Sequence, residues 1–362
     1  MTSWDVIHPG WYHFKEGAFS MRAFIDLQKK LFPDVLDVIQ RRYQLLYYIQ
    51  IMQPVGRRAL AESVELAERT VRSEVDFLNK QGAVEITSRG MHLSYEGQNI
   101  LDQLAEFIKE VSGIKVLEQQ LKDKLNLDHV VVVPGDSDEL NWVKQEMGRA
   151  CVQYLKEHMS PDQVIAITGG TTMASVAQVM TPLSGADQCL YVPARGGLGE
   201  RVENQANTIC AEMAKKARGD YRLLYVPDPL SEESYQTIKE EPSIKEVLDI
   251  IRNAEIVIHG VGDALTMAER RKTSPEQLEL IKTHNAVGEA FGYYFNVEGE
   301  IVHKVRTVGL QLEDLKRAKH VIAVAGGRSK AQAISSYFQP GQSNVLITDE
   351  GAAQELIRGL SL

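Results

Sequence analysis

Two glycine-rich runs stand where a chain can hold a phosphate. Thr168-Gly169-Gly170-Thr171-Thr172 follows the apolar run 164–167, and Gly326-Gly327-Arg328-Ser329-Lys330 follows the apolar run 321–325. Glycines let the backbone approach an anion, and a helix beginning just after such a loop directs its unpaired N–H groups at it. Lys330 adds a point charge to the second run. Two more apolar runs end in the same way. Residues 189–192 lead into Pro193-Ala194-Arg195-Gly196-Gly197-Leu198-Gly199-Glu200, and residues 256–259 lead into Gly260-Val261-Gly262-Asp263, with Arg270 and Arg271 shortly after. Arg195 and Arg270 are suited to a second phosphate, which a guanidinium grips through two parallel hydrogen bonds. Gln205 and Glu289 can hydrogen-bond hydroxyl groups, although each taken alone reads as a solvated or capping side chain.

Any one of these glycine pairs is by default only a tight turn. Their number changes the reading, because an open parallel sheet gathers the C-terminal ends of all its strands on one edge, where such sheets bind ligands. The guest expected there is a small anion. Neither run has the G-x-x-x-x-G-K-[ST] order of a nucleotide loop, and no G-x-G-x-x-G opens a helix after the first strand, which argues against ATP and NAD. No cofactor is expected.

The elements that must position these loops are legible as alternating strands and helices. Strand-like runs fall at 130–133, 164–167, 189–192, 222–226, 256–259, 321–325 and 345–348, which predicts a parallel α/β domain. Residues 291–305 alternate around Glu298-Gly299 and predict an inserted hairpin.

The N-terminal part is different. Apolar residues from Leu27 to Met52 recur at helical spacing, with Leu31, Val35, Val38 and Leu45 on one stripe. A short amphipathic helix over 56–63, a turn and a helix over 67–81 follow, which is helix-turn-helix spacing. Val71, Val75 and Leu78 then face inward, so Arg69, Thr70, Arg72 and Ser73 face outward along the first two turns. Gly82 ends the helix, and 84–87 and 91–94 alternate around a turn carrying Arg89, the pattern of a wing. Two helices meeting at an angle occur in many all-α cores, but the ribbon that follows favours DNA binding. Arg69, Thr70, Arg72 and Ser73 are the expected groove-facing residues, and Arg57, Arg58 and Arg89 the expected phosphate contacts. Against this, the six basic residues between 57 and 89 are matched by six acidic ones, so attraction to phosphate depends on their placement. An amphipathic helical stretch from Leu101 to Leu125 joins the two parts as a linker with some pairing.

Composition sets outer bounds. The 362 residues are 44% hydrophobic and 25% charged, as in an ordinary globular chain of about two domains. The net charge of -9 is unevenly spread: residues 21–115 hold thirteen basic and thirteen acidic side chains, so the acidity lies mostly beyond them. No apolar run approaches the roughly 20 residues that a membrane helix requires, and no secretory leader is recognisable, so a cytoplasmic location is expected. Cys151, Cys189 and Cys210 are far apart and read as buried thiols, and the nine histidines never form a metal-binding i, i+4 pair. No metal site is expected.

With these residues assembled, the chain from about Ala23 onward resembles the SorC/DeoR-type bacterial transcriptional regulators. The resemblance rests on ITGGTT at 167–172, VPARGGLGE at 192–200, NQANTICAEMA at 204–214, EAFGYYFN at 289–296 and IAVAGGRSKA at 322–331. It implies a winged helix-turn-helix domain over 23–113, followed over 114–362 by an effector-binding and oligomerising domain. That second domain would share the Rossmann-type parallel sheet of ribose-5-phosphate isomerase and glucosamine-6-phosphate deaminase. It further implies a homodimeric or homotetrameric repressor of a glycolytic operon that binds double-stranded operator DNA and is released by fructose 1,6-bisphosphate. Gly169, Gly170, Thr171, Thr172, Gly327 and Lys330 would hold one phosphate, and Arg195, Gln205, Arg270 and Glu289 the rest of the sugar. Residues 1–22 form an extra aromatic segment expected to be disordered, with Met21 a plausible start. The chain departs from the family at Glu65, where a turn Gly is usual, and at Ala67, where a Ser normally caps the recognition helix and its loss costs about 1 kcal/mol. A different class of function is a phosphosugar isomerase or deaminase with His259 or Asp263 as acid or base; the single carboxylate at that strand end argues against it.

Overall fold

The computed structural model describes residues 33–359 other than 65, 112, 198–200 and 229. The extra segment 1–22, Met21, the start of the helix expected from Leu27, Glu65 and the end of the VPARGGLGE run therefore lie outside the described residues. The chain divides into two compact units, residues 1–112 and 113–362.

The first unit contains helices α1 (Pro33–Met52), α2 (Arg57–Ser63) and α3 (Glu68–Lys80), strands β1 (Val84–Thr87) and β2 (Gly90–Leu93), and helix α4 (Tyr95–Val111). Its core is built from Leu45, Leu46 and Ile49 of α1, Leu60 of α2, Val71, Val75 and Leu78 of α3, and Met91 of β2. The inward stripe of α3 is the one that the sequence spacing predicts. The stripe expected on α1 holds at Leu45 but not at Val35, which is 46% exposed: burial of α1 is concentrated in its C-terminal half. Ala67 occupies the N-cap of α3 and supplies no side-chain hydrogen bond. Gly82, with φ +76°, lets the chain reverse after α3, and Ala83 N–H bonds back to Leu78 O at 2.9 Å.

The wing is a short antiparallel ribbon, in register from Val84↔Leu93 to Thr87↔Gly90. Thr87 Oγ1 closes its tip, donating to Gly90 O and accepting from Arg89 N–H. A third rung comes from Val55, whose N–H and C=O both pair with Met91. Gly90 is required at this crossing, since a Cβ there would stand 2.9 Å from Val55 N and the residue has φ +137°.

The second unit runs α5 (Ile114–Leu125), β3 (His129–Val133), α6 (Trp142–His158), β4 (Val164–Ile167), α7 (Thr171–Val179), β5 (Leu190–Pro193), α8 (Ala206–Ala217), β6 (Asp220–Tyr221), α9 (Glu232–Glu240), α10 (Pro242–Arg252), β7 (Ile256–His259), β8 (Gly262–Asp263), α11 (Ala264–Arg270), α12 (Pro275–Thr283), β9 (Gly288–Ala290), β10 (Tyr293–Phe295), β11 (Ile301–Lys304), β12 (His320–Val324), α13 (Ala331–Phe338), β13 (Val345–Asp349) and α14 (Glu350–Gly359). Seven strands form one parallel sheet in the order β3-β13-β12-β7-β4-β5-β6. The chain leaves β4 in one direction to β5 and β6, then returns to place β7 on its other side. Open sheets leave a crevice at such a reversal.

Two expectations are corrected. The helical stretch 101–125 is broken: α4 ends at Val111 and α5 begins after Gly113, whose φ of +71° does not continue a helix. The strand expected over 222–226 is reduced to β6 at 220–221. Beyond it, the Asn207 side chain takes the place of a partner strand, donating to Leu224 O at 3.0 Å and accepting from Leu224 N–H at 3.1 Å. The hairpin around Glu298-Gly299 is present as β10 and β11, within a four-stranded antiparallel sheet in the order β11-β10-β9-β8.

Candidate functional site

The loops after β4, β5, β7 and β12 meet around a cavity of about 320 Å³ on the C-terminal edge of the sheet. Eight of the ten expected effector residues line it: Gly169, Gly170, Thr171, Thr172, Arg195, Arg270, Glu289 and Lys330. Gly170 is the N-cap of α7, and the first bond of that helix runs from Ala174 N–H to Gly170 O, so the amides of Thr171, Thr172 and Met173 precede the helical ladder. Gly169 sits under residues 204–206, and a Cβ there would stand 2.5 Å from Asn204 O. Gly170 N–H donates to the same carbonyl at 2.9 Å, which fixes the loop.

The loop after β12 is built differently from the sequence expectation. Its amides are already engaged: Gly327 N–H donates to Asp349 Oδ2 at 2.7 Å, Ser329 N–H to Asp138 Oδ2 at 2.7 Å, and Arg328 N–H reaches Asp136 Oδ1 at 3.3 Å. Gly327 does not line the cavity, and its φ of +99° serves the approach of the loop to Asp138. This side therefore offers a guest the Lys330 side chain rather than a cradle of amides. Burial pushes the Lys330 ammonium below its ordinary value, and Lys144 and Arg270 push the same way against Asp138 and Asp349. An anion placed in the cleft would supply counter-charge to this group. Gln205 stands at the N-cap of α8, one residue before the helix on which its spacing had placed it, and is not among the lining residues.

Behind the cavity runs a chain of buried charges that the spacing did not reveal. Arg195 donates through Nε and Nη2 to Asp228, and its Nη1 stands 3.8 Å from Glu289. Glu289 Oε1 accepts from Arg271 Nη2 at 2.6 Å and from Gly292 N–H at 2.6 Å, while Arg271 Nη1 donates to Tyr294 Oη. Burial opposes ionisation of Glu289, but Arg271 and Arg195 outweigh it and hold the carboxyl below its ordinary value. Two nitrogens of Arg195 are thus spent on Asp228, and its grip on a guest is through the remaining face. Asp228 and Arg271 belong to this site on geometry; in sequence, only the neighbourhood of Arg271 to Arg270 pointed at either.

The residues that an acid–base mechanism would need are committed elsewhere. His259 is fully buried, bonded through Nδ1 to Gly260 O and through Nε2 to Tyr337 and Ser343, and burial lowers it to about 4. Asp263 caps α11, accepting from Thr266 N–H and from the Thr266 hydroxyl. The three cysteines are buried free thiols, with burial pushing Cys151 up to about 12. Among the described residues no group of His, Cys, Asp or Glu could hold a metal ion.

In the first unit, Arg69, Arg72, Ser73 and Arg89 are exposed and Thr70 is half-buried. Two of the three acidic residues of α3 are drawn away: Glu74 pairs with Arg41 and Arg42 of α1, and Asp76 with Arg57 at 2.9 Å, whereas Glu68 stays on the outward face, 3.7 Å from Arg72. Arg42 also stacks on Phe77, 3.7 Å from the ring centre. These pairs take two carboxylates away from the outward side of α3, which keeps Arg69 and Arg72 together with Glu68. They also show that Arg57, an expected phosphate contact, is half-buried and tied to α3, whereas Arg58 is exposed beside Glu62.

A family model described as a CggR N-terminal DNA-binding domain matches residues 38–108, and one for the sugar-binding domain matches residues 109–358. The central glycolytic genes regulator of Priestia megaterium is 57% identical over 93% of this chain and 99% of its own length, and that of Bacillus subtilis is 52% identical over the same shares. The chain belongs to the central glycolytic genes regulator family. Among solved structures, a SorC family transcriptional regulator from Enterococcus faecalis is 44% identical, with a TM-score of 0.64 over 67% of this chain and 99% of its own. The full-length sorbitol operon regulator of Klebsiella pneumoniae shares the fold, with a TM-score of 0.62 over 90% of this chain and 99% of its own at 19% identity. As a central glycolytic genes regulator, the chain is a transcriptional regulator with a DNA-binding and a sugar-binding domain, not an enzyme. No helix among the described residues is long and apolar enough to cross a membrane.

Proposed function

We propose that the protein is a repressor of a glycolytic operon, working without a cofactor, and that fructose 1,6-bisphosphate in the cleft releases it from double-stranded operator DNA. The observation that carries this reading is the lining of one cavity by three unpaired helix-start amides, the half-buried Lys330 and two arginines, Arg195 and Arg270. Such a cleft suits a small molecule with more than one phosphate, and Glu289 is placed to accept hydrogen bonds from sugar hydroxyls. Arg69, Thr70, Arg72 and Ser73 read the major groove while Arg58 and Arg89 contact phosphates, and pairing of two or more copies sets the half-site spacing.

Ligand and operator communicate by differential affinity, a coupling of about 1–3 kcal/mol, or roughly 5- to 150-fold. The test is operator binding by fluorescence anisotropy at fixed salt, with and without saturating fructose 1,6-bisphosphate, beside a panel of fructose 6-phosphate, glucose 6-phosphate, ribose 5-phosphate and inorganic phosphate. A fall in operator affinity that is specific to the bisphosphate is expected. Unchanged affinity rejects the effector assignment.

A further inference from the structure

Arg195 is held twice over, by its backbone and by its side chain. The backbone is clamped from both sides. Gly196 N–H donates to Val308 O at 3.0 Å and Leu310 N–H to Ala194 O at 2.8 Å, while Gly197 N–H donates to Val226 O and Asp228 N–H to Gly197 O, both at 2.9 Å. The close approach of the three segments depends on glycine: a Cβ at Gly196 would run into Val226 O, and one at Gly309, where φ is +142°, into Ala194 O. This packing delivers Asp228 to the Arg195 side chain. The Asp228 side chain is wholly buried and accepts from both Nε and Nη2 of Arg195 on Oδ2, while its Oδ1 is buried without a hydrogen-bond partner.

In electrostatic terms the pairing works against the cleft. A buried carboxylate on Arg195 offsets that cation's attraction for an anionic guest, so a site that held its guest by charge alone would bind more tightly without it. What Asp228 supplies is direction. A guanidinium is planar, and an acceptor along its Nε–Nη2 edge fixes where every remaining N–H points. Held in this way, Arg195 lines the cleft with Nη1 standing 3.8 Å from Glu289, whereas Asp228 is not among the lining residues.

We propose that Asp228 is a positioning residue for the effector: it does not meet the guest, and it sets guest affinity by aiming Arg195. The inference rests on the reading of the cleft as a phosphosugar site. An arginine side chain left to itself has many rotamers, and a guest that must order it loses part of its binding free energy in doing so. The buried carboxylate does that ordering when the domain folds. Position is thereby gained at the expense of charge, and the two effects predict opposite results when Asp228 is neutralised.

Isothermal titration calorimetry of the full-length protein with fructose 1,6-bisphosphate tests this in Asp228→Asn, Arg195→Met, Arg195→Lys and Arg195→Met/Asp228→Asn. Asp228→Asn should bind at least about tenfold more weakly than the wild type, the loss expected when one charge-assisted hydrogen bond to the guest is misdirected. The double variant should bind no more weakly than Arg195→Met, because Asp228 then has nothing left to aim. Arg195→Lys keeps the cation and its buried partner but not the planar fork, and should fall with Arg195→Met; it stays decisive if Asp228→Asn does not fold. Equal or tighter binding by Asp228→Asn is what charge alone predicts, and it overturns the proposal. So do losses that multiply in the double variant, or wild-type affinity in Arg195→Lys. A wild type that does not bind the bisphosphate is a separate result: it removes the phosphosugar reading and the proposal with it.

Discussion

Glu289→Gln is the most informative single substitution, because it removes a charge while keeping a shape. Glutamine retains an oxygen able to accept from Gly292 N–H and from Arg271, so the hydrogen bonds at 2.6 Å survive in form. What is lost is the carboxylate facing two buried guanidinium groups: the Arg271 side chain is 1% exposed and that of Arg195 7%. Asp228 still answers Arg195, but Arg271 is left as a buried cation hydrogen-bonded only to uncharged acceptors, the new amide and Tyr294. Breaking a buried ion pair from one side costs about 3–5 kcal/mol, whereas replacing both partners with uncharged groups of similar volume is often close to neutral. For a domain of this size each kcal/mol moves Tm by about 2–4 °C, so the single variant should melt roughly 6–20 °C lower in the transition of the larger unit, followed by calorimetry of the full chain. Arg271→Met/Glu289→Gln should recover most of that loss. The single variant should also lack part of the acid dependence of the wild type. Since the folded carboxyl lies below its ordinary value, its stabilisation is complete above about pH 4.3 and disappears as the pH falls through the folded value. A single-variant cost below about 1 kcal/mol, or a double variant that loses the sum of both single losses, refutes the claim that these charges hold one another.

Further expectations concern single positions. Arg72→Ala should weaken operator binding by about 1–3 kcal/mol in anisotropy titrations with phosphosugar affinity unchanged, and Lys330→Ala or Thr171→Ala should do the reverse; a variant that alters both equally contradicts the division of labour between the units. Gly169→Ala forces a methyl group against Asn204 O and should cost about 1–3 kcal/mol in denaturant melts together with loss of phosphosugar binding. His259, held near 4 against an ordinary value near 6.5, is neutral in the folded protein, so the unfolded chain takes up its proton first as the pH falls. Stability attributable to His259 should therefore decline by about 3 kcal/mol between pH 6.5 and pH 4, and urea midpoints of a His259→Gln variant should lack that limb.

The parallel sheet and the meeting of the four glycine-rich loops at one edge were legible because apolar runs ending in glycine carry their meaning locally. Six of the seven expected strands formed with bounds shifted by a residue or so. The seventh failed at 222–226 for a reason no local window contains: its partner is the side chain of Asn207, on a helix earlier in the chain. The carboxylates show the same limit. Asp136, Asp138 and Asp349 are far apart in sequence from the loop whose amides they occupy, at residues 327–329, so the glycines there read as an empty cradle. The balanced charge of the N-terminal domain became intelligible only when Glu74 and Asp76 were seen to face arginines of neighbouring helices.

The occupied amides of residues 327–329 divide the cleft into a fixed jaw and an adjustable one. The fixed jaw acquires its order when the domain folds, so a guest spends none of its binding free energy arranging that side. The exposed side chains of Thr171 and Arg270 form the other jaw, and there a change of side chain alters the fit without disturbing the sheet. A family of regulators built on this plan can exchange one sugar for another by remodelling a single side of the opening. Residence times should follow that side as well, since most affinity differences between related ligands lie in their rates of departure.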